Sequence, residues 1–110
     1  MKLIKCVVRE EKIDETTDAL RALDISGLTV SRVCGHGTCE RQAVFYRGVR
    51  LESRFLPKMM IDVVAPDDQV DDVVRVVTEA ARTGQAGDGR IFVMTIDEAY
   101  TIRTRQGGVA

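Results

Sequence analysis

This sequence lacks an excess of basic charge, a long apolar run and a secretory leader. Its 16 basic and 17 acidic side chains nearly balance, whereas a nucleic-acid-binding domain usually carries a basic surplus. No apolar stretch approaches the ~18–20 residues of a membrane span, so no membrane insertion is expected. Residues 1–5 place lysines inside their apolar stretch and contain no cleavage-like site, which argues against a signal peptide.

Cysteine and histidine are also scarce. Three cysteines cannot all pair within one chain, which favours a reduced, cytoplasmic setting. A phosphohistidine enzyme would have to use His36, the single histidine, and no carboxylate or amide is spaced to orient it. The chain has no low-complexity segment and no internal linker, so residues 1–110 are predicted to form a single domain.

The spacing of apolar residues predicts strands alternating with helices. The strands are expected over residues 3–9, 28–34, 58–64 and 90–96. One helix is predicted over residues 12–23, and a second from an acidic N-cap at residues 66–68 to Gly84. Residues 35–56 show no sustained period and are predicted to form a long loop, which in a compact domain is usually functional. This order predicts an α+β fold of the ferredoxin-like βαββαβ type.

The predicted fold leaves one sheet face without a cover, because two helices can cover only one face of a four-stranded sheet. The last strand is nevertheless apolar on both faces, with Ile91 and Val93 on one and Phe92 and Met94 on the other. At ~25 cal/mol per Å² of apolar area, leaving such a face in water forfeits several kcal/mol. The sequence therefore predicts a homo-oligomer.

A glycine-rich stretch over residues 83–93 joins the second helix to the last strand. Three of its residues, Gly84, Gly87 and Gly89, are glycines, and Asp88 and Arg90 accompany them. Glycine lets another molecule approach the backbone closely, successive N–H groups can hold an anion, and arginine adds donors suited to phosphate. A plain helix-to-strand turn needs the same glycines, and composition alone leaves both interpretations open.

The same stretch resembles the signature of the PII signalling proteins, and the resemblance extends over nearly the whole chain. It implies a homotrimer with the sheets facing inward and an adenine nucleotide in each cleft between neighbouring subunits. It also implies a regulatory protein rather than an enzyme. Residues 35–56 would be the effector loop that engages a protein target, residues 83–90 the nucleotide-binding loop and residues 97–110 the C-terminal segment. The target is not identified by the sequence.

The resemblance assigns roles to individual residues. A threonine hydroxyl reads the adenine edge, two valines line the base, glycines let the phosphates approach, residues 87–89 form the cradle, an arginine replaces the usual lysine, and another arginine comes from the adjacent subunit. The positions that match this pattern or border it are Val7, Thr29, Gly35, Gly37, Thr38, Val64, Gly87, Asp88, Gly89, Arg90 and Arg103.

Departures from the family pattern refine this expectation. Thr38 and Thr101 stand where many members carry phosphate-binding arginines, so a triphosphate loses more than ADP or AMP. Leu51 replaces the tyrosine that is uridylylated in some members, and Cys39 replaces a glutamine that helps to bind magnesium and 2-oxoglutarate. Lys58 and Cys39 then form the small-anion site, with bicarbonate as the first candidate. These features resemble a divergent, carboxysome-associated type that responds to bicarbonate.

Other functions stay open at this point. A conventional nitrogen-regulatory PII protein would sense ATP, ADP and 2-oxoglutarate, and an enzyme of nucleotide hydrolysis or phosphotransfer has Asp88 as its only candidate beside the loop. Cys34, His36 and Cys39 lie within six residues, but their spacing is not a usual zinc pattern and no fourth ligand is apparent. We expect no metal and no cofactor beyond the nucleotide.

Overall fold

The computed structural model describes residues 1–25, 27–35, 42–46, 49–53 and 56–107. Two α-helices lie within these residues: α1 (Ile13–Arg21) and α2 (Val70–Ala81). The strands are β1 (Lys2–Arg9), β2 (Leu28–Gly35), β3 (Gln42–Tyr46), β4 (Val49–Ser53), β5 (Leu56–Ala65) and β6 (Gly89–Thr95).

One antiparallel sheet carries most of the chain. Its strands lie in the order β2-β5-β1-β6, and β3 pairs antiparallel with β4 in a separate two-stranded sheet. The predicted α+β ferredoxin-like fold is confirmed. Neither helix in the described ranges has the length and apolar character of a membrane-spanning helix.

The prediction that residues 35–56 lack secondary structure is wrong in part. β2 extends to Gly35, β5 begins at Leu56, and between them β3 pairs with β4 from Gln42↔Ser53 to Tyr46↔Val49. These strands were not predicted, because a two-stranded ribbon imposes only a weak requirement for apolar alternation.

The predicted ends of the second helix also need correction. A turn of 3-10 helix, Asp67–Gln69, precedes α2, and neither segment has a side-chain hydrogen bond at its N-cap. The helix ends at Ala81 rather than at Gly84, because Arg82 is already extended at φ −71 and ψ 131. Gly84 instead lies in the connection that follows, at φ 89.

The core lies between the helices and one face of the sheet. Alternation along β1 and β5 directs every second side chain toward the helices. The side chains that are at most 2% exposed there include Ile4, Cys6, Val8, Ile61, Val63, Leu20, Val73 and Val77. Burying each large aliphatic side chain contributes roughly 1.5–3 kcal/mol, so this layer fixes the positions of the strand ends.

The opposite face and the β6 edge are open. Phe92, Val93 and Met94 of β6 are 47%, 44% and 40% exposed. Register pairs Phe92 with Lys5 and Met94 with Leu3, whereas Val93 pairs with the buried Ile4. Both faces of this edge strand are therefore apolar and accessible in the single chain, as the sequence predicted.

Gly89 permits β6 to start beside β1. It has φ +117, and a Cβ atom there would lie 1.7 Å from the Val7 carbonyl oxygen. We predict that Gly89→Ala lowers the free energy of unfolding by about 2–4 kcal/mol, since backbone strain and a backbone clash combine. Gly27→Ala is the control because nothing lies within 4 Å of its Cβ position, and urea denaturation measures both. Equal stability of the two variants would contradict the prediction.

Candidate functional site

Asp88 organises the connection between α2 and β6, which we call the glycine loop (residues 83–89). Its Oδ2 atom accepts hydrogen bonds from the N–H groups of Thr83 and Gly84, each at 2.9 Å. Its Oδ1 atom accepts one from the Thr83 hydroxyl and one from Arg9 Nε at 3.0 Å. The carboxylate therefore closes the loop on itself and ties it to β1.

Two cations hold the carbonyl groups of the glycine loop. Arg9 Nη2 donates to the Ala86 carbonyl at 2.9 Å, and Lys58 Nζ donates to the Gly87 carbonyl. Arg9 and Lys58 are opposite each other in the β1–β5 register. Lys58 is only 8% exposed, so the sheet presents a pair of fixed donors to two successive carbonyls.

The direction of the carbonyls determines the direction of the N–H groups. A trans peptide is planar, so the C=O of one residue and the N–H of the next point in opposite directions. With the Ala86 carbonyl on Arg9 and the Gly87 carbonyl on Lys58, the N–H groups of Gly87 and Asp88 point away from these cations. Successive N–H groups that point outward are a binding concavity for an anion.

A cavity of about 330 Å³ adjoins the loop. Its apolar lining comes from β1, β6 and the last turns of α2, and includes Val8, Val77 and Ile91. Arg82, Asp88 and Arg90 are the charged residues that line it. This combination of an apolar surface with arginines suits a ligand that has an apolar part and a negative charge.

The structure brings only some of the predicted nucleotide residues together. Val7 and Arg90 are paired, and Gly89 is paired with Val8, so these residues and the loop form one cluster. Thr29 lies on β2, three strand positions from β6, which is about 14 Å at ~4.8 Å per strand.

Val64 also lies away from that cluster. Val64 pairs with Leu3, four residues along β1 from Val7, which is about 13 Å at ~3.3 Å per residue. Arg103 is exposed in a C-terminal turn closed by the Arg105 N–H on the Thr101 carbonyl and by the Thr101 N–H on the Gln106 carbonyl. The predicted residues that strand register places therefore divide into a loop group, which includes Val7, Gly89 and Arg90, and a distant group, Thr29 and Val64.

The predicted small-anion site includes Lys58. This residue is 8% exposed and its ammonium group donates to the Gly87 carbonyl, so an anion would compete with that carbonyl. Its predicted neighbour Cys39, and the predicted phosphate residues Gly37 and Thr38, lie outside the described residues. Gly35 is the last residue of β2 and pairs with Leu56.

Arg9 is the functional candidate that the sequence analysis missed. Nothing in its spacing distinguishes it from an ordinary arginine at the end of a strand. Only the register that places Arg9 beside Lys58 and under the glycine loop reveals its contacts.

The cysteines in the described part of the chain do not form a metal site. Burial, helped by the charge of Asp62, raises the pKa of the Cys6 thiol to about 11, so it stays protonated at neutral pH. Cys34 is exposed near the end of β2. Groups of three or more metal-ligating side chains are absent from the described ranges, while His36 and Cys39 lie outside them.

Comparison with known proteins identifies a regulatory protein of the PII type. The family model described as nitrogen regulatory protein P-II matches residues 1–106. The chain is 41% identical over 110 residues to nitrogen regulatory protein GlnK of Escherichia coli strain K12, covering 100% of this chain and 98% of GlnK. It is also 41% identical over 104 residues to nitrogen regulatory protein P-II of Rhizobium etli, covering 94% and 93% of the two chains.

A third relative matches over nearly the full chain. The nitrogen fixation nifHD region GlnB-like protein 1 of Methanobacterium ivanovii is 38% identical over 112 residues, covering 99% of this chain and 100% of the relative. The chain belongs to the nitrogen regulatory protein P-II family. The resemblance found in residues 83–93 is thereby confirmed at the level of the family.

The hydrogen bonds to Asp88 predict a low pKa for its carboxyl group. The Thr83 hydroxyl, the Thr83 N–H, Arg9 and the Gly84 N–H hold the pKa of Asp88 well below its usual 3.8. The folded-state pKa is the lower one, so the charged carboxylate stabilises the fold above pH 3.8 and loses this contribution as the pH falls through the folded value. We predict an NMR titration midpoint for Asp88 below 3.8.

The Thr83 hydroxyl is the largest contributor to this shift. Thr83→Val should therefore raise the midpoint toward the ordinary value. Thr17→Val is the matched control, because that hydroxyl bonds to the Ile13 carbonyl within α1 and should leave the midpoint unchanged. An ordinary midpoint in the unmodified protein would show that Asp88 does not anchor the loop.

Proposed function

We propose that this protein is a PII-type regulator that binds the phosphates of an adenine nucleotide at the glycine loop. The observation that carries the proposal is the outward direction of the Gly87 and Asp88 N–H groups, which follows from the bonds of Arg9 and Lys58 to the preceding carbonyls. Arg90 is the second residue of β6 beside them and adds a guanidinium suited to phosphate oxygens. The adjoining cavity accepts part of the less polar nucleoside.

The proposed site includes residues from two chains. Thr29 and Val64 are more than ~10 Å from the loop group by strand spacing, and they lie on the open sheet face through their pairing with Asp62 and Leu3. A second copy packed against this face brings its own distant group to the loop of the first. We propose a homotrimer with one site between each pair of neighbours, in which Arg103 comes from the adjacent chain.

The phosphate-binding groups favour a short phosphate chain. Arg90 and the loop N–H groups are the donors proposed for the first phosphates, and Arg103 adds one charge. Threonines occupy positions 38 and 101, where many family members carry arginines. Each charge-assisted hydrogen bond contributes roughly 1.5–3 kcal/mol, so we propose that ADP and AMP are preferred to ATP.

The effector that acts with the nucleotide has two candidates. Bicarbonate is small enough to approach Lys58, but it must compete with the Gly87 carbonyl for the ammonium group. The alternative is 2-oxoglutarate in a conventional nitrogen-regulatory role, and the names of the relatives at 38–41% identity favour that role. In either case we propose that residues 35–56 engage the protein target.

A hydrolytic or phosphotransfer function receives less support. Asp88, the only carboxylate that the sequence placed beside the loop, accepts hydrogen bonds from four donors. Those bonds also lower its pKa. An anchored carboxylate of this kind is a poor general base.

The ligand preference is tested by calorimetric titration of ADP, AMP and ATP with magnesium, each with and without bicarbonate or 2-oxoglutarate. We expect ADP or AMP to bind more tightly than ATP, and Arg90→Ala to weaken ADP by roughly 1–3 kcal/mol because phosphate charge loses its partner. Arg75→Ala is the control, since Arg75 pairs with Asp72 and Glu79 on the exposed side of α2. Tighter ATP binding that 2-oxoglutarate strengthens would favour the conventional nitrogen sensor.

The oligomeric state has its own test. Light scattering should give about three times the mass of one chain, since a closed ring buries the exposed apolar strand. Phe92→Arg should dissociate the oligomer, because it places a charge on the open face where Phe92 is 47% exposed. The control Asp71→Arg, on the exposed side of α2, should leave the oligomer intact. A stable monomer in the unmodified protein would contradict both the trimer and the shared site.

A further inference from the structure

Arg9 makes two contacts that span the segment proposed to receive phosphate. Its Nη2 atom donates to the Ala86 carbonyl at 2.9 Å, and its Nε atom donates to Asp88 Oδ1 at 3.0 Å. The two contacts hold the residues on either side of Gly87. The Arg9 side chain is 21% exposed, so it lies largely within the structure.

We propose that Arg9 is a positioning residue that aims the glycine loop at phosphate and makes the site selective for phosphate-bearing ligands. This inference rests on the proposed nucleotide function. Arg9 acts through Ala86 and Asp88, and does not itself donate to the phosphate. Its effect is on the direction of the neighbouring N–H groups and on the charge beside them.

The first part of the effect is conformational. Gly87 has φ 96 and Gly84 has φ 89, and glycine has many alternative backbone conformations. Lys58 fixes the Gly87 carbonyl, but the preceding peptide depends on Arg9 at the Ala86 carbonyl. Without that bond the Gly87 N–H loses its fixed direction, and ordering it again upon binding costs conformational entropy.

The second part is electrostatic. Asp88 carries a negative charge within the cradle that is to hold a negative phosphate, and like charges at short range repel. Arg9 forms the one ion pair of Asp88 among the described residues. The pair offsets the repulsion and keeps the carboxylate directed toward β1 and Thr83. Lysine cannot reproduce both contacts, because it has a single ammonium group instead of a planar fork.

The test compares ADP with adenosine, which lacks phosphate, by calorimetry on the full-length protein. Arg9→Gln should weaken ADP about tenfold or more and change adenosine binding less than about twofold. Arg9→Lys should weaken ADP less than Arg9→Gln does, because it keeps the charge and loses one contact. Arg75→Gln is the matched control, an exposed arginine with ion pairs on α2, and should change neither ligand.

A double-mutant cycle with Asp88→Asn tests the electrostatic part of the proposal. In the Asp88→Asn background, Arg9→Gln should weaken ADP by less than about threefold, because no unpaired carboxylate remains. Thermal unfolding of each variant checks that it is folded. Additive effects of the two substitutions on ADP affinity would overturn the electrostatic part of the proposal.

NMR order parameters test the positioning without any nucleotide. In the nucleotide-free protein the N–H groups of Gly87 and Asp88 should have order parameters near ~0.85, and Arg9→Gln should reduce them below ~0.6. Unchanged order parameters and an unchanged ratio of ADP to adenosine affinity would overturn the proposal for Arg9. If Arg9→Gln lowers the order parameters but the protein binds no nucleotide, Arg9 still positions the loop and the proposed function is refuted instead.

Discussion

The bonds from Arg9 and Lys58 to the glycine loop are the interaction on which the site depends. The β1–β5 register sets the two cations side by side, and the covered face of the sheet fixes that register through buried residues such as Cys6 and Ile61. The cations hold the Ala86 and Gly87 carbonyls, and peptide planarity then directs the next N–H groups outward. Core packing thus determines, through two side chains, the conformation of the proposed phosphate site. The β1–β6 register in turn requires glycine at position 89, where the loop enters β6 against the Val7 carbonyl.

A second constraint acts on the opposite face. Two helices cover one side of a four-stranded sheet, which leaves an apolar edge strand with Phe92 and Met94 nearly half exposed. Two of the residues expected to contact the nucleoside, Thr29 and Val64, lie on that open side, away from the loop. In the trimer that we propose, burial of the apolar strand against another copy and completion of the binding site are one event. Ligand affinity and assembly should be linked for this reason, since a ligand that contacts two chains stabilises their association.

Much of this could be predicted from the residues. Period-two alternation in residues 3–9 and helical periodicity after residue 66 determine the fold class, and the spacing of glycines identifies the loop. The short strands β3 and β4 were missed because a ribbon imposes little apolar periodicity. The contacts of Arg9 and Lys58 with the loop were missed because they join residues 79 and 29 positions apart in the sequence. A pattern within one segment cannot report a bond of that kind.

The central claim is that the glycine loop binds phosphate through its backbone, and amide chemical shifts measure this most directly. On titration with ADP, the amide resonances of Gly87 and Asp88 should show some of the largest shifts in the protein, because their N–H groups point away from Arg9 and Lys58. Adenosine should leave the same resonances almost unmoved while it shifts residues that line the cavity, such as Val8 and Ile91. Equal shifts with both ligands, or no shift at Gly87 and Asp88 with saturating ADP, would contradict the account.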